Sequence, residues 1–135
     1  MEPSPAPPFH FVDDPASYRC DAGLVVRIPA AARGKQKLLG ALASRLRFPR
    51  YFGNNWDALE ECLRDLSWLG EVPRVTIVHE RLPFAPRGAS LTTYLRLLID
   101  VVADRRASDR SPTLEVVFPT WAAANVSGSL SDKGS

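Results

Sequence analysis

The chain has 135 residues, 17 Lys and Arg against 15 Asp and Glu, a formal net charge of +2, and 45% hydrophobic with 24% charged residues. That is the composition of a folded soluble protein rather than a disordered or fibrous one, and its length suits one domain, since two separate cores would each be marginal. So small a positive excess gives no general attraction to nucleic acid or membrane surfaces, and no window approaches the roughly 18–20 consecutive apolar residues of a bilayer-spanning helix.

The opening "MEPSPAPPFHFVDDP" lacks the basic start and apolar run of a signal peptide, so cytoplasmic residence is expected. Pro3, Pro5, Pro7, Pro8 and Pro15 favour extended backbone and remove amide donors. Residues 1–20 therefore read as an irregular or extended arm. Three β-branched or apolar runs follow, "LVVRI" at 24–28, "RVTIVHE" at 74–80 and "TLEVVF" at 113–118, and each reads as a strand. Long helical segments separate them, as parallel neighbours require.

In the first crossover, Leu38, Leu39, Leu42 and Leu46 recur at helical spacing and leave Lys35, Lys37 and Arg45 for solvent. "FPRYFG" breaks that helix, because the residue before proline is pushed from α geometry and Gly53 permits a left-handed backbone. Asn54 or Asn55 then caps a second helix. Its apolar stripe runs through Leu59, Cys62, Leu63 and Leu66 and extends to Leu69, before Gly70 and Pro73. A third helix spans "ASLTTYLRLLIDVVADRRA", with Leu91, Leu95, Leu98, Val101 and Val102 on one face. The expected fold is α/β, a small three-stranded parallel sheet packed with crossover helices over residues 21–120. The Ser- and Gly-rich end, 121–135, reads as a flexible tail.

The second helix carries Asp57, Glu60, Glu61 and Asp65. Like charges three or four residues apart cost about 0.2–0.5 kcal/mol per pair in an isolated helix. Asp57 gains roughly 0.3–1 kcal/mol from the positive end of the helix dipole, and the others fit an ordinary solvated face. The alternative is that this face meets a cationic partner, since opposed charges raise encounter rates and select partners. Tyr51, Phe52 and Trp56 stand beside it, and aromatic residues anchor interfaces as well as cores.

The segment "FPRYFGNNWDALEECL" resembles the signature of the barstar family, intracellular protein inhibitors of barnase-type ribonucleases. The resemblance is sharpest over 48–63 and extends more loosely over 24–118. It implies that the loop and following helix enter the nuclease active site, carboxylates facing the groups that receive RNA phosphate. Tyr51 matches the family's interface tyrosine, Gly53 its loop glycine, Asn55 the asparagine before the helix and Asp57 an interface aspartate. Glu61 takes the principal carboxylate position, one methylene longer than the family's aspartate, and Asp100 on the third helix matches a further acidic contact. Trp56 replaces a leucine, Glu60 a tryptophan and Asn54 an acidic residue; Trp56 is expected to help cover the rim of the partner's cleft.

The resemblance thus implies an inhibitor, not an enzyme, monomeric when unbound, whose partner is an extracellular-type ribonuclease or a nuclease toxin domain. No direct nucleic acid contact, cofactor or metal is expected. Catalysis by Asp57, Glu61, Cys62 and His79 would require them to converge on one pocket. Cys62 instead falls on the apolar stripe, and His79 at a strand end. Cys20 and Cys62 have no metal-ligand spacing and read as reduced thiols. Two alternatives remain: a barstar-like interaction domain with a non-nuclease partner, and nucleic-acid binding through Lys35, Lys37, Arg45, Arg47 and Arg50.

Overall fold

The computed structural model describes residues 8–19, 23–50, 52–85, 88–109 and 111–131. In chain order these form β1 (Phe9–Val12), β2 (Leu24–Ile28), α1 (Lys35–Arg45), α2 (Trp56–Asp65), β3 (Arg74–His79), α3 (Ala89–Ala107), β4 (Thr113–Pro119) and α4 (Ala123–Ser131). Single 3-10 turns occupy Pro15–Ser17, Ser67–Leu69 and Thr120–Ala122. The strands make one parallel sheet in the order β1-β4-β3-β2. The α/β class with a parallel sheet is as the sequence predicts.

The sheet has four strands rather than three. The added strand, β1, lies inside the segment read as an arm and pairs with β4, Phe9 opposite Val116 and Phe11 opposite Phe118. No proline falls between Pro8 and Pro15, so Phe9–Val12 keep their amides for a ladder. Phe9 is buried and meets Phe118 edge-on at 5.2 Å, while Phe11 stacks on the same ring at 6.3 Å. On the opposite pleat His10 Nε2 and Glu115 Oε1 lie 2.6 Å apart.

A second correction concerns the tail, of which 132–135 lie outside the described residues. Residues 123–131 form α4, which packs against α3. Ala122 and Val126 are fully buried, and Leu130 packs on the core. The abundance of Ser and Gly hides this i, i+4, i+8 spacing.

Both faces of the sheet are covered. Val75 and Ile77 of β3, with Leu114, Val116 and Phe118 of β4, share one core with Leu38, Leu39, Leu42, Leu59, Leu63 and the apolar face of α3. Thr76, Val78 and Val117 project to the other pleat, and all three are buried. There the connection from β1 to β2 crosses the sheet: the Pro15–Ser17 turn touches β3 and β4, and Arg27 donates to the carbonyls of Pro15, at 2.7 Å, and Tyr18.

α2 also ends earlier than its apolar stripe suggests. It stops at Asp65, and Leu66 takes a left-handed conformation, φ 52°, with its amide donating to Cys62 O at 3.0 Å. A non-glycine residue pays about 1–2 kcal/mol for that geometry, which full burial of Leu66, worth about 1.5–3 kcal/mol, offsets. Leu69 then belongs to a separate turn, whose Trp68 Nε1 donates to Leu46 O at 2.9 Å.

Arg105 of α3 is 2% exposed and ties these parts together. Its Nη1 donates to the last carbonyls of α2, Arg64 O at 2.6 Å and Leu63 O at 3.4 Å. Its Nε and Nη2 donate to Pro112 O at 2.9 and 2.7 Å. A cation at the negative end of the α2 dipole, bonded to otherwise orphan carbonyls, fixes the end of α2 against α3. Arg105→Met should lower the unfolding free energy by about 3 kcal/mol, since several buried acceptors lose their donor together. Urea unfolding at neutral pH measures this; a loss below about 1 kcal/mol would show that the carbonyls find other partners.

Candidate functional site

The loop before α2 is built by the end of α1. Arg47 adopts a left-handed conformation, φ 56°, and the Phe48 amide donates back to Ala43 O at 2.9 Å, a Schellman closure that turns the chain sharply. Phe48 then meets Phe52 at 4.9 Å and Trp68 at 5.8 Å, both edge-on, and the Phe52 amide donates to Pro49 O at 3.0 Å. Tyr51 lies outside the described residues.

Left-handed geometry falls on Asn54, φ 54°, rather than on Gly53 as the sequence suggests. Gly53 serves the loop through space: a Cβ there would sit 3.2 Å from Asn55 Nδ2, which donates to Gly53 O at 3.3 Å. Asn55, not Asn54, is the cap, its Oδ1 accepting from the Ala58 amide at 2.8 Å. The two polar ends of one amide therefore join loop and helix.

From this cap α2 presents two faces. Leu59, Cys62 and Leu63 are buried, whereas Asp57, Glu61 and Asp65 are exposed and follow one another at helical spacing. Burial raises the pKa of the Cys62 thiol, and the Asp65 and Glu61 carboxylates raise it further. The thiol therefore stays protonated, a poor nucleophile. Glu60 is diverted from the outer ridge: its Oε2 accepts from Arg64 Nε at 3.1 Å and Nη2 at 2.8 Å, while Arg64 Nη1 lies 3.0 Å from Asp104 Oδ2 on α3.

α2 and α3 run side by side in the same direction, Trp56 near Tyr94 at one end and Arg64 near Asp104 at the other. Asp100, exposed and one turn before Asp104, therefore stands beside the middle of α2. Asp57, Glu61 and Asp65 line one exposed face of α2, and Asp100 is exposed on the adjoining helix α3. The spacing of Glu60 and Arg64 was legible as an i, i+4 pair; the role of Asp104 depends on helix packing and has no sequence signal.

Trp56 is half-buried, 5.8 Å from Phe84 and 6.1 Å from Tyr94, with Lys35 Nζ 5.3 Å above its ring. Lys35, read as a solvent-facing residue, instead covers this indole. Beneath lies a buried pair in which His79 Nδ1 is 3.0 Å from Val117 O and Nε2 is 2.7 Å from Tyr94 Oη. A carbonyl can only accept, so Nδ1 carries the proton and Nε2 accepts from the tyrosine hydroxyl. Burial pushes the Tyr94 hydroxyl pKa up and lowers that of His79 to about 4, against an opposing contribution from Val117 O.

Asp57 and Glu61 thus face solvent while Cys62 and His79 are buried, so the four do not converge on a catalytic pocket. Among the described residues no group of three His, Cys, Asp or Glu is placed to hold a metal ion, and no helix is long and apolar enough to cross a membrane.

The family model described as Barstar (barnase inhibitor) matches residues 25–119. The chain belongs to the barstar family. Searches of curated proteins and of solved structures returned no match. The barstar match takes in the capped loop, the acidic ridge and Asp100, and leaves β1 and α4 outside it.

Two outcomes follow from this geometry. Asn55→Ala should cost about 1 kcal/mol of stability through loss of the cap, measurable by chemical unfolding; an unchanged midpoint would show that the Ala58 amide is satisfied by water. His79, at about 4 folded against 6.5 unfolded, binds a proton more readily in the unfolded chain. Its contribution is complete above pH 6.5 and is lost as pH falls toward 4, about 3 kcal/mol in all. In the His79→Phe, Tyr94→Phe double variant, unfolding free energies measured at pH 7 and 4.5 should lose that part of their difference; an unaltered difference would assign it to other groups.

Proposed function

We propose that this barstar-family protein inhibits a barnase-type ribonuclease, or the nuclease domain of a toxin for which it is the immunity protein, in the cytoplasm and as a monomer until bound. Asp57 and Glu61 enter the enzyme's cationic cleft, Asp65 and Asp100 extend the negative field, and Tyr51 and Trp56 cover the rim and exclude water. Gly53 and Asn55 set the approach of the loop to the helix.

The observation that carries this reading is the division of carboxylates. Arg64 pairs with both Glu60 and Asp104, while Asp57 and Glu61 remain outward on a helix fixed at both ends. Mutual repulsion between those outward charges does not help the helix fold, and a cationic cleft would relieve it. Inhibition on this reading is steric and electrostatic, with no covalent step.

Capture of the partner from native cells, followed by a ribonuclease assay, tests the proposal. Asp57→Asn and Glu61→Gln keep shape and remove charge, and each should weaken the captured complex by about 2–5 kcal/mol, the range for breaking a buried charge pair. If both variants retain the nuclease like the parent, the carboxylates are not the contact. Capture of a partner with no nuclease activity would favour an interaction domain of another kind, and steeply salt-dependent RNA binding on the Lys37, Arg45 and Arg50 side would favour a nucleic-acid role.

A further inference from the structure

Away from the acidic ridge, a groove of about 240 Å³ opens where β2, β3 and β4 end, lined by Arg33, Arg81, Leu82, Phe84, Ala85 and Trp121. The carboxyl ends of parallel strands are where open α/β sheets bind ligands, because the loops there are free to vary while the strands hold them in place. Here the loops are stitched together: the Glu80 amide donates to Ile28 O at 3.1 Å, the Gly34 amide to Pro83 O at 2.8 Å, and the Ala30 amide to Glu80 Oε1 at 3.2 Å. The two arginines are therefore carried on mutually bonded segments.

Trp121 is 56% exposed, the large hydrophobic residue left open to solvent among the described residues. It stands just beyond β4, outside the matched residues 25–119. Arg33 and Arg81 are exposed, and neither belongs to an ion pair among the described residues. An indole open on one side, an apolar floor of Leu82, Phe84 and Ala85, and two uncompensated guanidinium groups form a stacking platform with an anion rim. Planar aromatic rings stack on exposed indoles, and guanidinium groups bind phosphate through paired N–H donors.

We propose that this groove binds a nucleotide, its base against Trp121 and its phosphate held by Arg33 and Arg81. The volume lies below the roughly 300–1,000 Å³ of pockets that enclose a small molecule, and so suits a base covered on one side with its phosphate at the mouth. Glu80, committed to the Ala30 amide, disfavours a second anionic group on that side. The groove adjoins the proposed nuclease contact, since Phe84 of its floor meets Trp56 at 5.8 Å, but the inference does not depend on that contact.

Titration of the isotopically labelled full chain by two-dimensional NMR tests the site, with adenosine 5′-monophosphate, adenosine, inorganic phosphate and a short oligoadenylate as separate arms. The monophosphate should shift the Trp121 indole N–H and amides in 29–34 and 80–85 along one saturable curve, more tightly than adenosine or phosphate alone. Arg33→Ala, Arg81→Ala and Trp121→Ala should each weaken it by about tenfold. An oligoadenylate that binds at the same residues more tightly than the monophosphate identifies a strand end as the source; equal affinities identify the free nucleotide. Absence of saturable shifts at the groove, insensitivity to Trp121→Ala, or shifts confined to the Lys37, Arg45 and Arg50 surface would overturn the proposal. So would groove shifts produced only by an acidic protein.

Discussion

Everything about the acidic ridge depends on α2 being held at its two ends. A helix this short is marginal by itself in water, and its crowded carboxylates add repulsion. Asn55 satisfies an orphan amide at one end and Arg105 bonds the final carbonyls at the other. Between them Leu59 and Leu63 are fully buried, and that burial fixes which way Asp57 and Glu61 point. The charges are placed by apolar packing and by two polar anchors, rather than by interactions of their own.

The charged groups divide by partner. Arg64 sits between Glu60 and Asp104, side chains that are all part-exposed, and exposed pairs of this kind contribute only about 0–1 kcal/mol. Their larger effect is one of position: they close the seam between α2 and α3, while Asp57, Glu61, Asp65 and Asp100 enter no ion pair among the described residues. Trp56 completes the seam at the other end, resting on Tyr94 and Phe84 under the ammonium of Lys35. The same Tyr94 bonds His79 inside the protein, so the rim of the ridge and the buried polar pair share one side chain.

The long periodic segments were legible from the residues: α1, α3 and β2 carry repeated Leu or β-branched residues whose spacing admits one reading, and the cap before α2 was narrowed to Asn54 or Asn55, of which the structure selects Asn55. The short pieces were not. Four residues of β1 follow a proline cluster whose local signal is stronger than theirs, and in α4 serine and glycine outnumber the few apolar residues that hold it down. Leu69 continued a stripe that a left-handed Leu66 interrupts, a choice settled by what Leu66 buries. Arg105 gives no sign in the sequence of being interior, because its acceptors are backbone carbonyls brought from α2 and the turn before β4. At the site, Asp57 and Glu61 could be assigned to the outer face from spacing alone, while the sharing of Arg64 between two helices required the fold.

The path from β1 to β2 runs from one edge of the sheet to the other across its back. Pro15, Tyr18 and the side chain of Arg27 are the fastening of that strap, and Thr76, Val78 and Val117 lie beneath it. A fragment cut where the family match begins would therefore strip two surfaces at once, opening the flank of β4 to strand addition and wetting a hydrophobic underside. Residues 8–19 work as a built-in cover for the sheet, and the packed structure extends beyond the region by which the family is recognised.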